Sequence, residues 1–255
     1  MTILRVIILL AVFLSGTAHA IVSMESVHLG KPQQGYSGAF DINASGEYGN
    51  TEKSSVSTGL KLVRNKDAAT DFVLMNYQYG QSGNIRDKNK AFIHGRHIQQ
   101  LTPKYAWEGF AQLSSDEFTR LNLRLLLGAG ARISLWQDSK SWQGFFGLGG
   151  FYEKEKLDVE TGSDEDQTTE AWRGNAYFVF KASINENVSV VSTTYYQPNL
   201  GRFGDFRAIE DASLVSKLTE TLAAKISLDV THDSEPPAGV KHTDTTLQVG
   251  LDVSF

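Results

Sequence analysis

The sequence of 255 residues contains no cysteine and only five prolines. Without cysteine, neither a disulfide framework nor a thiolate metal site can form. The scarcity of proline, beside 23 glycines, favours many strands and tight turns over extended linkers. The net charge of −5 gives no general reason to expect a nucleic acid as a partner. No glycine-rich phosphate-binding motif occurs in a strand–helix context, so we predict no cofactor.

Long apolar runs are also scarce, and the one at the N-terminus is short. An unbroken apolar stretch from Val6 to Leu14 follows Arg5, and Ala18-His19-Ala20 has the small–x–small pattern of a signal-peptidase site. The stretch is about half of the ~20 residues that a membrane-spanning helix needs. We therefore predict a signal peptide over residues 1–20, cleaved after Ala20, and export through the general secretory pathway.

The C-terminal segment shows the clearest pattern in the chain. From Thr243 to Phe255, odd-numbered positions carry threonine or apolar residues, and even-numbered positions carry polar residues or glycine. A period of two over this length indicates a β-strand with one apolar and one polar face. Such a strand is longer than the ~5–6 residues usual in soluble domains, and it is about long enough to cross a bilayer at a tilt.

The same alternation recurs along the chain. From Leu121 to Leu135, every odd-numbered residue is Leu, Ala or Ile, whereas Arg124 and Arg132 lie on the opposite face. We predict twelve strands, at 36–49, 53–64, 70–80, 88–99, 104–114, 119–135, 140–154, 169–184, 187–197, 205–217, 222–232 and 242–255. Ten is the alternative, because the phases of the fourth and ninth are ambiguous. The predicted fold is all-β: a transmembrane antiparallel up-and-down β-barrel over residues 36–255, preceded by a short periplasmic segment at 21–35.

The lengths of the predicted connections differ between the two ends of this barrel. With the N-terminus in the periplasm, the periplasmic connections are 65–69, 100–103, 136–139, 185–186 and 218–221, all of them short. The outer connections are 50–52, 81–87, 115–118, 155–168, 198–204 and 233–241, which are longer on the whole. This asymmetry, with an even strand number, is typical of outer-membrane barrels. We expect the outer membrane of a Gram-negative bacterium, with its lipid and lipopolysaccharide as surroundings.

Aromatic residues cluster at the ends of the predicted strands. The periplasmic rim carries Tyr105, Trp136, Trp142 and Phe255, and the outer rim carries Tyr48, Tyr77, Tyr79, Tyr152, Trp172 and Tyr196. Amphipathic rings favour the membrane–water interface, so barrels carry two such girdles. The terminal Phe255 on the apolar face also resembles the signal read by the outer-membrane assembly machinery. We therefore expect the barrel-assembly machinery and periplasmic chaperones as partners.

Three stretches carry a family resemblance. They are Gly49-Asn50-Thr51-Glu52-Lys53, the run from Thr119 to Gly130, and His232-Asp233-Ser234-Glu235-Pro236-Pro237 with Thr243-Asp244-Thr245. These stretches resemble the salt-induced outer-membrane proteins, a family defined by a domain of unknown function, and the resemblance extends from about Tyr36 to Phe255. It implies an outer-membrane barrel and a link to salt or osmotic stress. It supplies no active-site residues.

Charges of both signs fall on the inward face of the predicted strands. The acidic residues are Asp41, Glu47, Glu108, Asp229 and Asp252, and the basic residues are Lys61, Arg124, Arg132, Arg173, Lys181 and Lys225. They could line a pore that selects solutes by charge. Alternatively, they could form an ion-pair network that fills a narrow lumen, as side chains do in barrels of about eight strands. The near balance of signs favours the network, and predicts no strong preference for anions or cations if a pore exists.

Three other patterns could carry chemistry. The connection 155–168 is rich in carboxylates but lacks the spacing of a calcium-binding loop. His94 and His97 are three residues apart in a strand, so they lie on opposite faces and make a poor metal pair. A hydrolase-like set occurs at His232, Asp233 and Ser234, and outer-membrane phospholipases are barrels of similar strand number.

The hydrolase interpretation has little else in its favour, because no G-x-S-x-G nucleophile elbow occurs in the sequence. We predict no catalytic, metal or cofactor site. The function expected is that of a non-enzymatic envelope protein, structural or related to salt and osmotic stress. A narrow diffusion channel for small solutes is the alternative, and a phospholipase-like hydrolase is less favoured. The sequence leaves the oligomeric state open.

Overall fold

The structure, a computed structural model, describes residues 34–47, 52–136, 141–159, 162 and 165–254. The described residues form a closed antiparallel barrel of twelve strands, each paired with its neighbours in sequence. The strands are β1 (Gly35–Glu47), β2 (Lys53–Lys66), β3 (Ala69–Ser82), β4 (Ile85–Gln100), β5 (Tyr105–Asp116), β6 (Leu121–Ser134), β7 (Trp142–Leu157), β8 (Thr168–Ser183), β9 (Val188–Asn199), β10 (Arg202–Lys217), β11 (Leu222–Asp233) and β12 (Thr243–Ser254). The barrel closes where β1 pairs with β12, with Phe40 opposite Val253. The predicted fold class is confirmed. Several predicted features lie outside the described residues. They are the signal peptide with its cleavage site at Ala20, most of the segment 21–35, Tyr48 and Phe255.

The two segments of ambiguous phase are both strands, so the number is twelve and not ten. In β9, the buried residues include Val191, Thr193 and Tyr195. Ser192 and Thr194 alternate with them and lie on the outer surface. The phase is hard to read from the sequence because apolar and hydroxyl side chains occur on both faces of this strand.

The two ends of the barrel differ less in connection length than the sequence suggests. Connections 83–84 and 200–201 are short, because β3, β4, β9 and β10 extend beyond their predicted ends. At the opposite end, the connection between β6 and β7 spans residues 135–141. The asymmetry is carried by the two longest connections, 158–167 and 234–242, which lie at the same end. We call that end the loop end and the other the turn end.

Strand β6 illustrates how the inner and outer faces alternate. Leu126 and Arg132 are buried, whereas Leu123, Leu125 and Leu127 are exposed on the outer surface. The pairing of β6 with β7 shifts register between Leu121 and Leu123. This bulge turns Leu121 inward, where it is buried, although its position in the alternation predicts an outward side chain.

Exposed aromatic side chains lie at both ends of the barrel. Tyr105, Trp136 and Trp142 are exposed at the turn end, and Tyr77, Trp172 and Tyr196 are exposed toward the loop end. These are the positions that two interfacial girdles would occupy. Among the described residues, no helix is long and apolar enough to cross a membrane.

Candidate functional site

The middle of the lumen holds a buried ion pair surrounded by aromatic rings. Arg96 Nη1 lies 3.3 Å from Glu108 Oε2, and both side chains are almost completely buried. The guanidinium carbon of Arg96 lies 5.9, 5.3 and 5.8 Å from the ring centroids of Phe72, Phe110 and Tyr177, respectively. Arg96 is on β4 and Tyr177 is on β8, so the side chain of Arg96 reaches across the barrel.

A histidine extends this arrangement. The ring of His94 stacks between Phe72 and Phe110, at centroid distances of 6.3 and 5.8 Å. Its Nδ1 lies 2.9 Å from Gln112 Oε1. His97, three residues further along β4, instead contacts Asp71 and Trp107, so the two histidines have separate surroundings. We refer to Phe72, His94, Arg96, Glu108, Phe110, Phe151 and Tyr177 as the aromatic layer.

The lumen is packed at the level of this layer. Val179, Val191 and Thr193 have 0% of their surface exposed, and Phe151 has 1%. These residues alternate with outward-facing neighbours, so their side chains point into the barrel. A Cβ atom on Gly128 would lie 2.4 Å from Cζ of Phe110, which shows how closely the rings approach the wall. Side chains therefore fill the lumen here.

Toward the loop end, three arginines and four carboxylates form a second buried cluster. Arg207 donates from Nη2 to Glu155 and from Nε to Asp233, each at 2.9 Å, and from Nη1 to Glu153. Because Arg207 is on β10 and both glutamates are on β7, the bonds to Glu153 and Glu155 cross the lumen, whereas Asp233 lies on the neighbouring strand β11. The cluster connects strands that are not neighbours in the sheet.

The other two arginines share the same carboxylates. Arg173 Nε lies 2.7 Å from Glu153 Oε1, and its Nη1 lies 2.9 Å from Asp205 Oδ1. Arg124 Nε lies 3.6 Å from Glu153 and also pairs with Glu155. We call the set the arginine network, and its members are Arg124, Glu153, Glu155, Arg173, Asp205, Arg207 and Asp233.

A cavity of about 620 Å³ lies at the loop end, with the arginine network in its wall. Its other lining residues come from strand ends and from the two long connections, and include Glu165, Pro236 and His242. Carboxylates outnumber Lys and Arg among the lining residues, so the cavity has a net negative charge. Such a cavity raises the local concentration of cations over that of anions.

Arg120 is hydrogen-bonded to both of the long connections that line this cavity, 158–167 and 234–242. Its guanidinium donates to the backbone carbonyls of Asp158 and Ala238, each at 2.9 Å, and to Glu165 Oε2 at 2.7 Å. Glu165 Oε1 in turn accepts a hydrogen bond from the backbone N–H of Ala238. The two longest connections are thus joined through one side chain.

Ten of the eleven charged residues predicted to face inward have described side chains. Lys61, Glu108, Arg132, Arg173, Lys181 and Asp229 are buried, and Asp41, Arg124, Lys225 and Asp252 are partly buried. The side chain of Glu47 lies outside the described residues. The structure brings Arg124 and Arg173 together in the arginine network. Arg132 and Lys181 both lie over the ring of Phe145 toward the turn end, at 3.9 and 5.8 Å from its centroid.

Several residues of these clusters were not singled out by the alternation. Glu155 was expected in the connection 155–168, but β7 continues to Leu157 and places its carboxylate in the lumen. Arg207 lies on a strand with charges on both faces, which obscures its phase. Arg96 lies on β4, one of the ambiguous segments. Extending the predicted strand 140–154 by one residue includes Glu155, and the alternation places it on the same face as Glu153.

The hydrolase-like set and the acidic connection are the two remaining patterns that could carry chemistry. His232 Nδ1 lies 2.9 Å from Thr243 Oγ1, Asp233 accepts from Arg207, and Ser234 Oγ donates to the carbonyl of Gly204. The three side chains therefore have separate partners and do not form a triad. Within the described part of the chain, no group of three or more His, Asp or Glu side chains is arranged to hold a metal ion.

Residues 41–255 match the model of the family described as "Protein of unknown function, DUF481", and the chain belongs to this family. Among solved structures, the chain is similar to the NanC porin, with a TM-score of 0.50 and 10% identity over 86% of this chain and 98% of that one. It is also similar to the translocator domain of the autotransporter NalP from Neisseria meningitidis, with a TM-score of 0.51 and 11% identity over 86% and 87% of the two chains. At these identities the similarity shows a shared fold, that of outer-membrane barrels. No curated protein matches the sequence.

Proposed function

We propose that this member of the DUF481 family is a non-enzymatic outer-membrane barrel of the cell envelope whose lumen is closed by its own side chains. The packed aromatic layer carries this proposal, because residues pointing into the barrel there have almost no surface accessible to water. The arginine network above it supports the same conclusion, since its ion pairs connect β7 with β10 across the lumen. Side chains fill small barrels in this way, whereas wide porins hold open channels.

Single-channel recording of the folded protein in a planar bilayer tests the closed lumen. We expect no discrete conductance steps from protein whose folding is shown by a heat-dependent shift in gel mobility. An open porin recorded in the same lipid is the positive control. Reproducible steps of one size from the folded protein would contradict the proposal and favour a channel.

A narrow diffusion channel is the second candidate, and the acidic cavity at the loop end favours it. A channel entered through this cavity would prefer cations, because carboxylates outnumber basic residues in its wall. The sequence instead predicted no strong preference, because acidic and basic residues are nearly equal in number on the inward face. The reversal potential in a salt gradient would measure the preference, and an anion-selective current would contradict a route through this cavity.

The resemblance to salt-induced outer-membrane proteins supports a role in the envelope under salt or osmotic stress. We expect the abundance of the protein to rise after a shift to high salt, and cells without it to grow more slowly there. Unchanged abundance together with unchanged growth would remove this part of the proposal. Hydrolysis of phospholipid by the purified barrel, lost in the variant His232→Ala, would overturn its non-enzymatic character.

The route to the membrane is proposed from the sequence. The general secretory pathway exports the chain, the signal peptide is cleaved after Ala20, and the barrel-assembly machinery inserts it with the help of periplasmic chaperones. Phe255 is the proposed assembly signal, and lipid and lipopolysaccharide surround the barrel. N-terminal sequencing of the mature protein is expected to start at Ile21, and a start at Met1 would refute the signal peptide.

A further inference from the structure

The seam between β1 and β12 is paired over a much shorter length than the seams on either side of it. β1 pairs with β2 over the whole of Gly35–Glu47, and β12 pairs with β11 over residues 243–253. Among the residues that the structure describes, β1 and β12 pair with each other only between residues 39–40 and 253–254, toward the turn end. Toward the loop end, residues 42–47 of β1 and 245–251 of β12 are not paired with each other. We call this part the open seam.

The lumen behind the open seam is not packed with side chains. Among the side chains that the structure describes, those of β1 and β12 include none that is buried, whereas each strand from β2 to β11 has at least one buried residue. Gln248 of β12 points into the barrel, because Leu247 and Val249 on either side of it are 58% and 74% exposed on the outer surface. Gln248 is nevertheless exposed itself. Water therefore reaches the inner face of β12.

The space behind the open seam is polar and adjoins the loop-end cavity. Thr246 and Gln248 of β12 face inward, as does Ser227 of β11, which is opposite Gln248. Thr231 and Asp244 of the same two strands line the cavity. A polar molecule in this space would meet hydrogen-bonding side chains and not the rings of the aromatic layer.

The outer surface beside the open seam is apolar. Ile42 of β1 and Leu247, Val249 and Leu251 of β12 are exposed there. In an outer-membrane barrel these side chains face the hydrocarbon of the bilayer. The open seam therefore separates an apolar surface outside from a polar surface inside by the thickness of one strand.

Strand edges without a partner are unfavourable in a membrane. The backbone N–H and C=O groups that point across the open seam have no partner in the sheet, and hydrocarbon offers them none. Water and polar head groups do supply donors and acceptors. An amphipathic lipid in the seam fits both sides of it, because its head group meets the strand edges and the polar inner wall while its acyl chains stay against the apolar outer surface.

We propose that the open seam is a lateral entrance through which the polar head group of a membrane lipid passes from the surrounding leaflet into the loop half of the lumen. The acyl chains remain in the membrane. This inference rests on the membrane location in the proposed function, but it does not depend on the closed lumen. Conductance steps would contradict the closed lumen and leave the tests of the seam unaffected. Both tests use protein whose folding is shown by its heat-dependent gel mobility.

Disulfide formation across the seam tests whether it is open in the membrane, and the chain has no cysteine of its own. The double variant Phe40→Cys/Val253→Cys joins a pair that is opposite in the structure. Ala44→Cys/Val249→Cys is its match, because both residues lie four positions further along and would be opposite in the same register. A disulfide requires Cα atoms within about 7 Å, so we expect at least about tenfold less of it from Ala44→Cys/Val249→Cys. Equal disulfide formation in the two variants would overturn the open seam.

Labelling by a lipid tests whether a head group enters. Gln248→Cys is reconstituted in vesicles of phosphatidylcholine that contain a phosphatidylethanolamine with a maleimide on its head group. We expect this lipid to couple to Gln248→Cys, with the gain in mass of one lipid. Ser213→Cys is the matched control, because Ser213 faces the lumen opposite Ser227, which is itself opposite Gln248, and lies two strands away from β12. No coupling is expected there.

Three results would overturn the lateral entrance. One is coupling of Gln248→Cys to a water-soluble maleimide but not to the lipid, which would mean that the loop end is the route of access. Another is equal coupling of the lipid to Gln248→Cys and Ser213→Cys. The third is a Gln248→Cys barrel that reacts with neither reagent, which would mean that the space behind the seam is filled.

Discussion

The aromatic layer and the arginine network hold buried arginines in different ways. Arg96 pairs with the carboxylate of Glu108 and has three aromatic rings within 6 Å of its guanidinium carbon. Arg207 instead has three carboxylate partners and lies within a group of seven charged residues. Ring faces attract a cation without adding negative charge. Carboxylates attract it more strongly, but each buried carboxylate then needs a cation to balance its own charge.

The difference indicates what each region does for the barrel. In the aromatic layer, the ion pair could be exchanged for apolar side chains, because its surroundings are largely apolar already. In the arginine network, loss of one cation leaves several carboxylates facing one another. We infer that the layer closes the lumen chiefly by packing, and that the network holds β7, β10 and β11 together chiefly by charge.

The largest expected effect is that of Arg207→Ala. It leaves Glu153, Glu155 and Asp233 without one of their cations, so we expect a loss of at least about 3–5 kcal/mol in the free energy of unfolding. Urea unfolding of the barrel in lipid vesicles, followed by tryptophan fluorescence, measures it.

Arg202→Ala is the control for this prediction. Its side chain is 65% exposed, although it also pairs with Asp205 and Glu235, so a loss of less than about 1 kcal/mol is expected. Equal losses for the two variants would mean that the arginine network has no special role in stability.

The next effect concerns the ion pair of the aromatic layer. Arg96→Met leaves Glu108 buried without its partner and is expected to cost about 3–5 kcal/mol. Adding Glu108→Met is expected to restore most of this stability, because replacing a buried pair by apolar residues is often neutral. The double-mutant cycle in the same unfolding assay gives the coupling energy. If the double variant is no more stable than Arg96→Met, the two regions do not differ as inferred.

The smallest effect expected is that of a single methyl group in the packed lumen. Gly128→Ala would place Cβ 2.4 Å from Cζ of Phe110 and 2.7 Å from Cβ of Phe151, so overpacking is expected to cost about 1–3 kcal/mol. Gly95→Ala is the control, since its Cβ would have no other atom within 4 Å. Unfolding midpoints in urea compare them. A Gly128→Ala barrel as stable as Gly95→Ala would show that the layer is loosely packed.

Alternation predicts a strand best where one of its faces is almost uniformly apolar. In β8 and β12, alternation alone predicts both the strand and its phase, because most of the outward-facing side chains are apolar. It is weakest in β4 and β9, the two segments of ambiguous phase. In β9, Ser192 and Thr194 put hydroxyl groups on the outer face.

Local alternation is enough to predict the architecture: strands with a period of two, too long for most soluble sheets, whose side chains alternate between the outer surface and the lumen. It could not determine which lumen charges meet. Two partners of Arg207, Glu153 and Glu155, lie on β7, which is not next to β10 in the sequence or in the sheet. The ring of Tyr177, which lies near Arg96, is four strands away. Such contacts depend on the diameter of the closed barrel and on the register of every strand pair between them. The bulge that turns Leu121 inward is likewise a property of the β6–β7 pairing. Alternation along a strand is local, whereas contact across a lumen exists only once the barrel has closed.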